Sequence, residues 1–167
     1  MIILGIDPGT AETGYGLVSY QRRQPKLLDC GVIRTDSDRE DPYRLLMMEK
    51  EMRRIIRQHQ PDLLTIESIF FFQNRSSALA VSQMKGVVLL AAEKHKLPIY
   101  EFSPLEIKLA VTGWGRAGKE DVQVAVQQLF ALKDNNYSNH ATDALGSAAC
   151  YLIKNKLLQP IKWHDKK

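Results

Sequence analysis

Two short apolar runs each end in a single acid: Ile2 to Ile6 leads into Asp7, and Leu63 to Ile66 leads into Glu67. If these runs are neighbouring parallel strands, both carboxylates stand at one sheet edge, the edge where open α/β sheets bind ligands. Two carboxylates ~4 Å apart repel by roughly 4 kcal/mol at an effective dielectric of about 20. A shared proton or a divalent cation relieves that repulsion. Asp143 adds a third acid near the start of a late helical segment, Asn139-His140-Ala141-Thr142-Asp143-Ala144-Leu145. His140 and Asp143 are spaced to share a helix face. An oxygen-rich cluster with one imidazole suits Mg²⁺ or Mn²⁺. Such a site fits phosphodiester hydrolysis, in which the metal activates water and stabilises the leaving oxygen. The imidazole then either binds metal or accepts the water's proton. Plainer roles stand beside these: each strand-end acid can simply open a turn, and a helix N-terminus attracts acids through its dipole.

These groups need a scaffold, and the hydrophobic pattern supplies one. Ile2 to Ile6, Gly14 to Tyr20, Leu27 to Arg34, Leu63 to Ile66 and Leu97 to Phe102 have the length and composition of strands. Arg22, Arg23, Gln24 and Pro25 join the second and third as a hairpin, and Asp36 to Asp41 is a solvated acidic loop. From Pro42 the spacing turns helical, with Leu45, Met48, Met52, Ile55 and Ile56 in one stripe, and Pro61 closes the element. Further helices are expected from Ser76 or Ser77 as a cap to His95, then over Pro104 to Val111, Lys119 to Leu132 and Ala141 to Lys154. The small residues Ala141, Ala144, Gly146, Ser147, Ala148 and Ala149 let the last helix approach the sheet closely. The order of elements predicts one α/β domain around a mixed sheet over residues 1–155, followed by a basic tail, 156–167.

The 167 residues suit one domain, and 44% hydrophobic with 25% charged residues is ordinary for a soluble globular chain. Apolar runs fall far short of the ~20 residues that span a bilayer. Met1 leads into a strand with no basic n-region, so neither membrane insertion nor secretion is expected. Cys30 and Cys150 stand alone, without CxxC or Cys/His spacing, which excludes a disulfide scaffold and suits a reducing cytosol. A net charge of +4 is compatible with a polyanionic partner.

Taken in order, GIDPGT at Asp7, IES at Glu67, the loop Phe70-Phe71-Phe72-Gln73-Asn74 and the late HATDAL resemble RuvC-type Holliday-junction resolvases over nearly the whole chain. The resemblance implies a ribonuclease-H-like fold, with a mixed five-stranded sheet flanked by helices. It also implies a homodimer that makes paired nicks in four-way DNA junctions, with Mg²⁺ as cofactor, Mn²⁺ as its substitute and two ions at each site. A branch-migration motor complex is implied as a partner. On the matching positions Asp7, Glu67, His140 and Asp143 form the metal site, with His140 where the family has Asp or His, as ligand or general base. Phe70 matches an aromatic that inserts near the scissile strand, where stacking on an unpaired base is worth roughly 1–3 kcal/mol. Lys108 and Lys119 match basic positions near the scissile phosphate.

Gly113-Trp114-Gly115-Arg116-Ala117-Gly118-Lys119 has most of a P-loop, but Glu120 stands where a metal-binding Ser or Thr belongs, and the preceding segment is helical. The same loop, with Arg116 or Lys119 at a helix start, is expected to hold DNA phosphates. The tail carries Lys156, Lys162, Lys166 and Lys167 and is expected to be a frayed, solvated terminus. The helix from Ser76 to His95 is the candidate dimer interface. Beside the resolvase stand three alternatives: a ribonuclease acting on RNA, an actin-like ATPase using Asp7-Pro8-Gly9-Thr10 as a phosphate turn, and a noncatalytic junction-binding module. The ATPase usually needs a second similar domain, and the binding module predicts a damaged acidic cluster.

Overall fold

The structure is a computed structural model that describes residues 1–69, 75–132 and 137–161. Its centre is a five-stranded sheet of β1 (Ile2–Asp7), β2 (Glu12–Gln21), β3 (Gln24–Arg34), β4 (Leu63–Glu67) and β5 (Ile99–Phe102), in the order β3-β2-β1-β4-β5. β1, β2 and β3 run antiparallel, whereas β1, β4 and β5 run parallel, so the sheet is mixed as the pattern predicts. The helices are α1 (Asp41–His59), α2 (Arg75–Lys94), α3 (Pro104–Thr112), α4 (Lys119–Leu129) and α5 (Asn139–Lys154).

Alternation along the strands sends side chains to two cores. Leu4, Ile6, Leu17, Leu64 and Ile66 pack under α1 and α2, meeting the predicted stripe of Met48, Met52, Ile55 and Ile56. Ile3, Val18 and Leu63 face the other way, against Val122, Val126, Leu145 and Leu152 of α4 and α5. No helix among the described residues is long and apolar enough to cross a membrane.

Several boundaries differ from expectation for physical reasons. The hairpin turn is only Arg22-Arg23, both in the left-handed region at φ 50° and 63°. This backbone matches the right-handed strand twist better than a longer loop, despite the cost to non-glycine residues. Ser76 and Ser77 lie inside the first turn of α2, which begins at Arg75. α4 stops at Leu129, because Ala131 turns left-handed at φ 49°.

The stretch after α5 is held on the domain, where the sequence suggests a frayed terminus. Tyr20 Oη donates to Leu157 O at 2.7 Å, Ile161 N donates to Val111 O at 3.2 Å, and Leu158 and Ile161 pack on the second core. The apolar side chains of Leu158 and Ile161 outweigh the pull of their basic neighbours into solvent.

Candidate active site

Parallel pairing of Ile6 with Ile66 puts the next residues, Asp7 and Glu67, side by side at one sheet edge. The face that carries Asp7 also carries Ile3 and Gly5, and the face that carries Glu67 also carries Leu63 and Thr65. α5 lies across this face, with Ser147 Oγ hydrogen-bonded to Thr65 Oγ1 at 2.9 Å. Close approach depends on absent side chains. A Cβ on Gly5 would meet Ala144 O at 2.1 Å, and one on Gly14, the cross-strand partner of Asp7, would meet His140 O at 1.9 Å. Glycine is therefore required at both positions. The helix start is fixed by Ser138, whose hydroxyl accepts from Ala141 N at 3.1 Å.

This packing brings the four expected residues to one edge, where Asp7 meets His140 and Asp143 meets Lys119. His140 Nδ1 lies 2.7 Å from Asp7 Oδ2, and its Nε2 is 3.8 Å from Glu12 Oε2. Lys119 Nζ lies 3.1 Å from Asp143 Oδ2. Among the described residues no three His, Cys, Asp or Glu side chains gather closely enough to hold a metal ion as placed. Asp7 and Asp143 thus each meet a nitrogen, while Glu67 has no such partner among the described residues.

The charge balance is nonetheless that of a cation site. Burial, followed by the charges of Asp7 and Asp143, pushes Glu67 up to about 8. Burial also raises Asp7, against the opposing hydrogen bond from His140. Both are costs of crowding anions in a half-buried place, and a divalent cation removes both. Oxygen donors with one imidazole fit Mg²⁺ or Mn²⁺ in kind.

Two hollows flank Glu67. One, of about 210 Å³, is lined by Glu67, Asp143, Lys108, Lys119, Pro104 and Val122, among others. The other, of about 120 Å³, runs past Asp7, Pro8, Ser68, Ile69 and Val81. Lys108 thus faces the acids across a cleft. Arg116 is exposed on the loop before α4 and is not part of the cleft lining. Phe70 lies outside the described residues.

The start of α4 differs from the expected phosphate cradle. Gly118 N donates to Asp121 Oδ2 at 2.8 Å, and Glu120 and Asp121 make the first turn acidic. The helix's own carboxylates occupy the positive end of its dipole, leaving Lys119's side chain as the phosphate-seeking group.

Other positioning residues escaped the sequence reading. Thr13 Oγ1 donates to Gly9 O at 2.9 Å and accepts from Gly9 N at 3.2 Å, closing the turn after Asp7 on itself. Thr35 Oγ1 and Arg44 Nη2 both donate to Thr10 O, at 2.6 and 2.8 Å. Glu12, near His140 Nε2, also accepts from Arg34 Nε at 3.0 Å. Only the glycines had a readable signal: Gly14 and Gly16 recur at strand period, marking one bare face.

The family model described as crossover junction endodeoxyribonuclease RuvC matches residues 3–151. A protein of that name from Petrotoga mobilis is 41% identical over 151 residues, covering 90% of this chain and 93% of its own. Its namesake from Moorella thermoacetica is 44% identical over 151 residues, covering 90% of each. Among solved structures, T. thermophilus RuvC in complex with Holliday junction substrate matches with a TM-score of 0.88 and 28% identity, over 94% of this chain and 96% of that one. The yeast mitochondrial Holliday junction resolvase has a TM-score of 0.68 at 13% identity, over 93% of this chain and 79% of that one, a likeness of fold alone.

Proposed function

Because the chain belongs to the RuvC family of crossover junction endodeoxyribonucleases, we propose that Asp7, Glu67, His140 and Asp143 form its hydrolytic centre. The protein is a structure-selective DNA endonuclease that resolves four-way junctions in recombination and repair, on a ribonuclease-H-like mixed sheet flanked by helices. The observation that carries the assignment of the centre is the adjacency of Asp7 and Glu67 at the parallel edge, with the His140–Asp143 end of α5 lying over it.

Asp7, Glu67 and Asp143 are the residues to hold Mg²⁺, two ions in this proposal, with Mn²⁺ as substitute. A bound divalent ion supplies a more acidic attacking water and stabilises the leaving oxygen. With Asp7 ionised, the hydrogen of its 2.7 Å contact sits on His140 Nδ1, because a carboxylate only accepts. Nε2 then keeps its lone pair, and His140 takes the water's proton there, its ring oriented by Asp7. Lys108 and Lys119, which line the same hollow as Glu67 and Asp143, hold the scissile phosphate, and Arg116 holds a neighbouring phosphate. Phe70 stacks on an unpaired base beside the cut.

Two copies of this chain, joined through α2, place two such sites on opposite strands, which yields paired symmetric nicks. Leu79 and Leu90 of α2 are 66% and 53% exposed, consistent with a partner there. A branch-migration motor acting on the same junction, a body of residues 1–155 with a basic segment 156–167, and residence in the cytoplasm complete the proposal.

The test is cleavage of a synthetic mobile four-way junction, with linear duplex and RNA–DNA hybrid as comparisons, each with and without Mg²⁺. Paired nicks on the junction alone, abolished by chelator, are expected. Cutting of the hybrid instead makes the protein a ribonuclease-H-type enzyme. Junction binding without cutting in Mg²⁺ or Mn²⁺ removes the catalytic roles.

A further inference from the structure

The loop between α3 and α4 carries an aromatic side chain that the proposed chemistry leaves unused. Trp114 is 52% exposed, so a large apolar surface is left in water. Its backbone is held firmly. Thr112, itself buried, accepts from Trp114 N at 3.1 Å and shares its hydroxyl hydrogen between Lys108 O at 2.7 Å and Trp114 O at 3.0 Å. Trp114 O also accepts from Ala117 N at 3.2 Å, and Ala117 is buried. One hydroxyl thus ties the indole-bearing residue to the turn of α3 that carries Lys108.

The surroundings point to an occupant. Lys108 and Lys119 line the cleft with Glu67 and Asp143, and exposed Arg116 follows Trp114 closely. Leu105 and Leu109 of α3 are exposed, and Leu105 Cδ1 lies 3.7 Å from the Cβ position of Gly115. An exposed aromatic with a well-held backbone, two residues before Arg116 on the loop that joins the helices of Lys108 and Lys119, matches a polymer whose phosphates are anionic and whose bases have flat apolar faces. We propose that Trp114 is a stacking platform for a base of the junction strand that enters the cleft between Lys108 and Lys119. This deepens the endonuclease assignment and rests on it. A protein partner lying on Leu105, Leu109 and Trp114 is the competing occupant.

The experiment uses the full chain as Asp7→Asn/Trp163→Phe, which binds without cutting and leaves Trp114 as its one indole. Titration with a four-way junction is expected to quench Trp114 emission saturably. In the same background Trp114→Ala is expected to weaken junction binding about 5- to 150-fold, the equivalent of ~1–3 kcal/mol for one stacked base, while Trp114→Phe keeps most of the affinity. Circular dichroism checks that the variants are folded, and the emission titration needs no change at Trp114. Unchanged emission at saturating junction, or Trp114→Ala binding within twofold of the parent, overturns the proposal and leaves the face to a protein partner. Cleavage by the unmodified chain is the control: its absence defeats the endonuclease assignment, whereas normal cleavage with unchanged emission defeats only the stacking role.

Discussion

His140 Nδ1 lies 2.7 Å from Asp7 Oδ2, although 133 residues separate them in the chain. The contact exists because α5 sits directly on the bare backbone of Gly14, the residue paired with Asp7. It joins the strand-end acid to the helix-borne imidazole and leaves Nε2 as the outward nitrogen, 3.8 Å from Glu12. The proton-acceptor role proposed for His140 rests on this orientation.

His140→Gln is expected to lower the cleavage rate about 10²- to 10⁴-fold, the usual contribution of a general base. Junction affinity should change little. Single-turnover cleavage and gel shift check the two expectations. A variant that cleaves at the parent's rate removes His140 from the proton transfer.

Asp7→Asn keeps the shape of the side chain and removes its charge. Cleavage should disappear while junction binding persists. The Asp7 charge is one of the forces raising Glu67, so the variant should also be more thermally stable than the parent without metal. Gel shift, nicking and thermal unfolding report the three effects, and nicking at the normal rate removes Asp7 from the mechanism.

Glu67 makes metal-free stability depend on pH. Its folded pKa of about 8 stands above the ordinary 4.5, from burial first and then the charges of Asp7 and Asp143. Between those values the native state holds a proton that the unfolded chain has released. Stability therefore falls as pH rises through this window, by up to roughly 1.4 kcal/mol per pH unit. Mg²⁺ favours the ionised form, so the Tm increment it produces should grow from pH 6 to pH 9. Glu67→Gln should flatten both trends, and an increment independent of pH in the parent contradicts the assignment.

Lys119→Gln separates charge from stability. Lys119 is 60% exposed, and such pairs contribute only ~0–1 kcal/mol. Unfolding should therefore shift little. Lys119 lowers both Asp7 and Glu67, so its loss should move the cleavage pH profile upward and reduce the rate at neutral pH about 10²-fold or more. A profile that falls in amplitude without moving leaves Lys119 with a phosphate contact alone.

Gly14→Ala should be damaging out of proportion to one methyl group, since the new Cβ would meet His140 O at 1.9 Å. A loss of about 1–3 kcal/mol is expected, with α5 displaced and cleavage reduced. Gly86→Ala in α2 is the control: its Cβ would meet nothing within 4 Å. Stability should rise there by about 0.5–1 kcal/mol, as for a helical glycine. Urea unfolding of both variants gives the comparison.

The sequence by itself determined the strands, the helices and the acids at the strand ends, because these are written in short-range periodicity. Runs ending in Asp7 and Glu67 reveal a shared edge once parallel pairing is assumed, and the spacing of His140 and Asp143 reveals a common helix face. Their order along the chain also carries the family resemblance. What only the tertiary structure decided is which helix lies on which strand and at what height, since that depends on volumes meeting across distant segments. Gly5 and Gly14 admit α5; Thr13, Thr35 and Arg44 lock the turn after Asp7; and Thr112 ties Trp114 to the helix of Lys108. Each acts on a backbone group whose position local periodicity does not encode. The same physics set Leu158 and Ile161 on the core and left Arg116 off the cleft lining. Composition reports that a segment is basic or apolar, but contact with the rest of the chain decides which property prevails.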